Sequence, residues 1–308
     1  MNSPGLAWGR VGRLVLSLLA AGFVLLSARD LWQRWDAHAV HVAVLPLLGA
    51  WLLASVAMLA QFLGWKALMK QLGGRALPVV PAARLYLDSQ LARYTPGKIG
   101  LPAVRIAGAA ALGVTKRHMV TGLTLELASW VSVGLIAAGL GLGFAPPSAR
   151  AHLARWVVDA IAIAASCAGI CLIGFMVLGR NRYPQRLLRA LGLEGTGPLL
   201  PKALVAFFAL HASCWMACGT LLAVSLGQPA LHGWPAGGAL CFSLVGGFLA
   251  FLAPAGVGVR ELIVGYILAP LWGAPVALSF GLLARAVSLS SDVVLWGVAR
   301  VLDRSTAS

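Results

Sequence analysis

Arg93-Tyr-Thr-Pro-Gly-Lys-Ile-Gly-Leu-Pro-Ala-Val-Arg105 decides how this chain reads. The stretch holds two prolines, two glycines and three cations, yet apolar runs flank it on both sides. Proline disfavours helix at the residue before it, so a helix arriving from the N-terminal side ends near Tyr94. Pro102 suits the first turn of a new helix, which therefore begins just after the break. Amides freed between Lys98 and Leu101 and the positive end of the new helix dipole face the same point. With Lys98 at that point and Arg93 and Arg105 close by, the break is a candidate anion site. The alternative is a tight surface turn in which Lys98 extends to a membrane interface.

The flanking sequence is that of a membrane protein. Of 308 residues 60% are hydrophobic and 11% charged, which excludes an ordinary soluble domain. The net charge of +15 would suit nucleic acid, but the cations lie between apolar segments without an aromatic-interleaved basic patch. No nucleic-acid partner is expected. The five cysteines sit in apolar runs, where small packing residues are common, so neither disulfides nor a metal site are expected, and no cofactor.

Six runs reach the ~20 residues that a ~30 Å hydrocarbon core requires: 12–28, 42–65, 119–143, 156–179, 199–226 and 275–299. The first shows no small-residue cleavage site ahead of Arg29 and Asp30, and is taken as a helix rather than a signal peptide. Two regions are too interrupted to be simple spans. Residues 77–94 carry Arg84, Asp88 and Arg93, while residues 101–114 reach only about 21 Å as a helix. Likewise residues 236–253 are followed by a short run at 259–271. Between the halves lie Pro96-Gly97-Lys-Ile-Gly100 and Pro254-Ala-Gly256-Val-Gly258, each marking a helix that goes in, breaks and returns.

The fold expected is therefore an all-α polytopic membrane protein with about six full transmembrane helices and two broken re-entrant hairpins. The whole chain, 1–308, is expected to form one integral membrane domain without a soluble catalytic domain. Approximate repeats at 42–143 and 199–300 flank a basic loop at 180–198. An odd number of full spans separates the two breaks, so the hairpins enter from opposite faces, an inverted repeat of the kind transporters use. Loop charges orient it: fourteen cations fall on one side and four on the other. That asymmetry puts both termini in the cytoplasm of a multi-pass protein of the cell inner membrane.

Certain of these residues carry a family resemblance. The Pro-x-x-Ile-Gly segment, the run Pro254-Ala-Gly-Val-Gly-Val-Arg-Glu261, and Leu282-Leu-Ala-Arg-Ala-Val-Ser-Leu-Ser-Ser-Asp292 resemble the lysylphosphatidylglycerol synthase transmembrane-region family. That family includes flippase domains and dolichol-phosphate-glucose synthetase-like membrane proteins. The resemblance covers roughly residues 40–300. In the first half Leu101, Leu127 and Trp130 stand where the family pattern carries charged residues. It implies lipid transport.

The embedded charges give a reading of their own. A lysine or arginine in mid-helix costs ~2.5–3.5 kcal/mol on insertion scales, so an embedded cluster needs partners or a use. Arg84, Arg93, Lys98, Arg105, Arg260 and Arg285 outnumber Asp88, Glu126, Glu261 and Asp292 by two, a surplus that an anionic ligand would neutralise. Glu126 shares a face with Gly122 and Ser129, and Arg285 shares one with Gly281, Ser288 and Asp292. Arg285 and Asp292 are about 10.5 Å apart along a helix, too far for a simple pair, so Arg285 is expected to meet Glu126 or Glu261. A purely structural ion network is the competing interpretation.

The function expected is a lipid flippase or scramblase for an anionic phospholipid or polyprenyl-phosphate-linked lipid. Arg93, Lys98, Arg105, Arg260 and Arg285 would bind the headgroup, and Asp88, Glu126, Glu261 and Asp292 would serve as ion-pair partners or coupling groups. The alternatives are a membrane glycosyltransferase or lipid synthase, for which Asp30 and Asp36 are the best external acidic pair, and a non-transporting partner of an envelope-biosynthesis enzyme. There is no Gly-x4-Gly-Lys-Ser/Thr loop for a nucleotide.

Overall fold

The computed structural model describes residues 42–73, 75–94, 99–145, 155–177, 186, 189, 202–250 and 256–307. Among these residues every regular element is helical. The first series is α1 (Val44–Gly73), α2 (Val79–Ala92), α3 (Gly100–Gly108) and α4 (Lys116–Gly143). After α5 (Arg155–Val177) the same order of long, short, short and long returns in α6 (Lys202–Ser225), α7 (Gly233–Leu249), α8 (Val259–Trp272) and α9 (Ala274–Ala307).

Among the described residues four helices are long and apolar enough to cross a membrane: Val44–Gly73, Lys116–Gly143, Lys202–Ser225 and Ala274–Ser305. They coincide with four of the expected runs. The run expected at 156–179 is the 23-residue helix α5, and the run at 12–28 lies outside the described residues. On α1, Leu45, Leu48, Leu52, Val56, Leu59 and Leu63 form an exposed stripe at helical spacing. Water would not tolerate so continuous an apolar surface, whereas hydrocarbon does.

Helix boundaries follow local chemistry. Pro78, in extended conformation, starts α2. At the far end of this arm the chain leaves the helix at Arg93 and Tyr94, ahead of Pro96. Gly113, at φ 68°, makes the turn before α4, and Thr115 caps that helix by accepting the amide of His118 at 3.2 Å. In the second series Gly256 (φ 69°) and Gly258 (φ 83°) make the bend that starts α8. A Cβ on Gly256 would lie 2.7 Å from the Gly247 backbone, so this bend needs glycine for space as well as for torsion.

Small residues let the helices meet at backbone distance. A Cβ on Gly141 of α4 would fall 2.6 Å from Gly238 of α7, and one on Gly219 of α6 would fall 2.6 Å from Gly237. Between apolar helices in lipid, such close van der Waals packing drives association in place of the hydrophobic effect. One apolar cluster joins α1, α4, α5, α6, α7, α8 and α9. A second gathers Phe62 and Trp65 of α1, Tyr86 of α2, Met119 of α4 and Phe208 of α6.

Candidate functional site

The described charges among those expected in or beside the membrane region sort into matched groups and one exception. Arg105, on α3, is fully buried: Nη1 donates to Glu126 Oε2 of α4 at 2.7 Å and Nε donates to Ser89 Oγ of α2 at 2.8 Å. The guanidinium lies 4.1 Å from the Tyr86 ring centroid and 4.7 Å from that of Trp65. Tyr86 in turn donates its hydroxyl to Glu126 Oε1 at 2.9 Å. This is a closed set of partners, because the charged and polar groups of the pair are matched while aromatic faces replace solvent.

Arg285, on α9, makes the equivalent closure in the second series. Nε donates to Glu261 Oε1 at 2.6 Å and Nη2 to Glu261 Oε2 at 3.1 Å. The amide of Gly258 reaches the same carboxylate at 2.9 Å, so Glu261 also compensates the positive end of α8. Of the two partners expected for Arg285, Glu261 takes it and Glu126 goes to Arg105. Asp292 is held instead by Arg93 and by the hydroxyl of Tyr94 at 2.8 Å. Asp88 accepts from Arg300 Nη2 at 2.9 Å and Trp296 Nε1 at 2.7 Å, while Arg84, four residues before it, pairs with Asp303.

Arg260 is the exception. It is half-buried, and among the described residues no carboxylate lies within ion-pair distance of it. It faces a cavity of about 260 Å³ walled by both helix series. Gln90 of α2, Arg93 and Tyr94 just past its end, Gln61 of α1, Thr124 and the Arg105-bound Glu126 of α4, His211 of α6 and Ser288 of α9 supply the other polar groups, with Trp130 and Phe248 forming an apolar wall. The lining extends to Pro102 and to Thr124, which is exposed, so the cavity reaches the outer surface of the bundle beside α3 and α4.

The expected headgroup residues therefore occupy different places. Arg93 and Arg260 line the cavity; Arg105 and Arg285 are committed to carboxylates and do not line it. Lys98, Pro96, Gly97 and Pro254 lie outside the described residues, as do Asp30 and Asp36. Gly100 opens α3, while Gly256 and Gly258 form the bend before α8.

His211 is a lining residue that the sequence reading passed over. Trp130 Nε1 donates to its Nε2 at 2.9 Å, so Nδ1, 2.9 Å from the carbonyl of Ala57, carries the ring proton. The ring is neutral and bridges α1, α4 and α6. Its signal was available, since an ionisable residue inside an apolar span marks a functional site by default. Gln61, also buried in a span, gave the same signal. In comparisons with known proteins, no family model matches the chain and no curated protein matches it in sequence.

Proposed function

We propose that the chain is a lipid flippase or scramblase of the cell inner membrane. In this reading α1, α4, α5, α6 and α9 span the bilayer together with a helix at 12–28. The pairs α2–α3 and α7–α8 are re-entrant hairpins entering from opposite faces, and both termini are cytoplasmic. The resemblance to the lysylphosphatidylglycerol synthase transmembrane region points the same way.

The observation that carries this reading is Arg260, a cation without a carboxylate partner among the described residues, aimed into a cavity between the two helix series. A half-buried charge without a partner still carries part of the desolvation cost of a buried one, and an anionic ligand offsets it. Arg93, on the opposite series, becomes a second contact by exchanging Asp292 for the ligand. Guanidinium groups match phosphate oxygens in bidentate geometry, and Gln61 and Gln90 offer neutral donors. The cavity holds a phosphate with a small polar headgroup, while the lipid tails remain in hydrocarbon at the opening beside Thr124. Rocking of one series against the other then presents the headgroup to alternate faces.

The test is lipid exchange in vesicles carrying fluorescent phospholipid or polyprenyl phosphate, followed by access of an outer-leaflet quencher to inner-leaflet label. A charged hydrogen bond contributes about 1.5–3 kcal/mol, so Arg260→Gln should slow exchange by roughly 10- to 100-fold with folding intact. Exchange unaffected by Arg260→Gln, or absent for every anionic lipid supplied to folded protein, would remove the proposal. Arg105 is a poor test residue, since losing it strands the buried Glu126.

A further inference from the structure

We infer that the α2–α9 contact is the gate of the cavity and the α4–α7 contact its hinge. This inference rests on the transport reading for its purpose, but not for its test. Two rigid units come first. Arg105 binds α3 to Glu126 of α4 and to Ser89 of α2, so α2, α3 and α4 move together. Arg285 binds α9 to Glu261 of α8, and the bend at Gly256 packs on Gly247 of α7, so α7, α8 and α9 form the second unit. The units meet at α2–α9 and at α4–α7, and the two contacts differ in kind.

The α2–α9 contact is an antiparallel ladder of charges. Arg84 meets Asp303, Asp88 meets Arg300, and Arg93 meets Asp292, so advancing along α2 means retreating along α9. Exposure falls along it, from 46% and 23% for Arg84 and Asp303, through 40% and 24% for Arg300 and Asp88, to 31% and 3% for Arg93 and Asp292. Water can take over the outer rungs when they part, so they hold weakly. The innermost rung ends in the cavity, where an anion on Arg93 displaces Asp292 and loosens the ladder from inside.

The α4–α7 contact offers no such exchange. Gly141 and Gly238 meet backbone to backbone, the rings of Phe144 and Trp234 lie 6.2 Å apart, and Trp130 meets Phe248 edge-on at 5.1 Å. Parting the two glycine backbones forfeits van der Waals contact that no side chain at either position can restore. Rotation about this contact parts the ladder and opens the cavity to the membrane face that bears Asp303.

Thiol labelling in vesicles tests the gate. In the full chain with its five native cysteines replaced by alanine, Gln61→Cys reports cavity access to a membrane-impermeant maleimide applied to either face. Asp303→Asn with Arg300→Gln should raise labelling from the Asp303 face about fivefold or more, the population shift expected from losing two half-exposed pairs. A short bifunctional thiol reagent across Arg84→Cys and Asp303→Cys should abolish that labelling. The same reagent across Phe144→Cys and Trp234→Cys should leave it intact. The gate is overturned by labelling that ignores the charge substitutions, that comes from the other face, or that stops equally with either cross-link. Normal gating without lipid exchange would refute the transport reading alone, and exchange that persists through the 84–303 cross-link would refute the gate alone.

Discussion

Arg105→Met removes the cation from a closed set of partners and leaves Glu126, 1% exposed as a side chain, with only the hydroxyl of Tyr86. Breaking a buried pair from one side costs about 3–5 kcal/mol, because the orphaned charge keeps its desolvation penalty. The lost stacking of the guanidinium on Tyr86 and Trp65 adds to this, each such contact contributing up to about 2 kcal/mol when desolvated. A neutral pair behaves otherwise. In Arg105→Met with Glu126→Gln, no charge remains to be compensated, methionine fills the space between the rings, and the side-chain amide carbonyl introduced on α4 still accepts from Tyr86. The double variant should lie within about 1–2 kcal/mol of the parent, since replacing a buried pair by neutral groups of similar volume is often close to neutral. Unfolding in mixed micelles of increasing SDS content, followed by tryptophan fluorescence, measures all four corners of this cycle. The reasoning fails if Arg105→Met alone costs under about 1 kcal/mol, or if adding Glu126→Gln recovers none of the loss.

Two further substitutions probe the frame around the cavity. Gly238→Val places new atoms against Leu142 and Gly141, where even a Cβ would lie 2.9 Å from the Leu142 amide nitrogen and 3.0 Å from Gly141; the overpacked helices should lose about 1–3 kcal/mol in the same unfolding assay, and an unchanged midpoint would mean that the two backbones are not in contact. His211→Leu strands the indole N–H of Trp130 and the carbonyl of Ala57, for a loss of about 1–3 kcal/mol, whereas His211→Gln should recover part of it by offering both an acceptor and a donor; equal stability of the two variants would argue against the bridge.

The helix pattern was legible because it depends on local chemistry. Long apolar runs fix α1, α4, α6 and α9, and proline with glycine fixes the interruptions, so Val79–Ala92 and Gly100–Gly108 fall within a few residues of the expected arms. The partners of the charges were only half legible. Helical rise excluded Asp292 as the partner of Arg285, yet Arg93 finds Asp292 and Asp88 finds Arg300 across about 200 residues, and no spacing rule reaches so far. Spacing alone therefore left all five headgroup candidates on the same standing. Burial separates those that are described: Arg105 and Arg285 are stabilised by carboxylates on neighbouring helices, while Arg93 and Arg260 reach the cavity. His211 was missed for a different reason, since a neutral histidine adds nothing to a count of charges.

The position of the excess cation matters more than its presence. Arg93 and Arg285 both repel Arg260, and the attraction of Glu261 is already engaged by Arg285 in two hydrogen bonds. Glu126, the acid among the lining residues, is already held by Arg105 and Tyr86, so no lining carboxylate is left over to neutralise Arg260. In the proposed cycle the empty cavity therefore holds a positive charge in a low-dielectric setting, and the loaded cavity does not. Closing the bundle around an unsolvated cation costs free energy that closing around an ion pair avoids. The loaded form then alternates more readily than the empty one, and a difference of about 1.4 kcal/mol between the two barriers already favours it tenfold. In that cycle, the lack of a free carboxylate beside Arg260 is what would couple movement of the protein to the presence of a ligand.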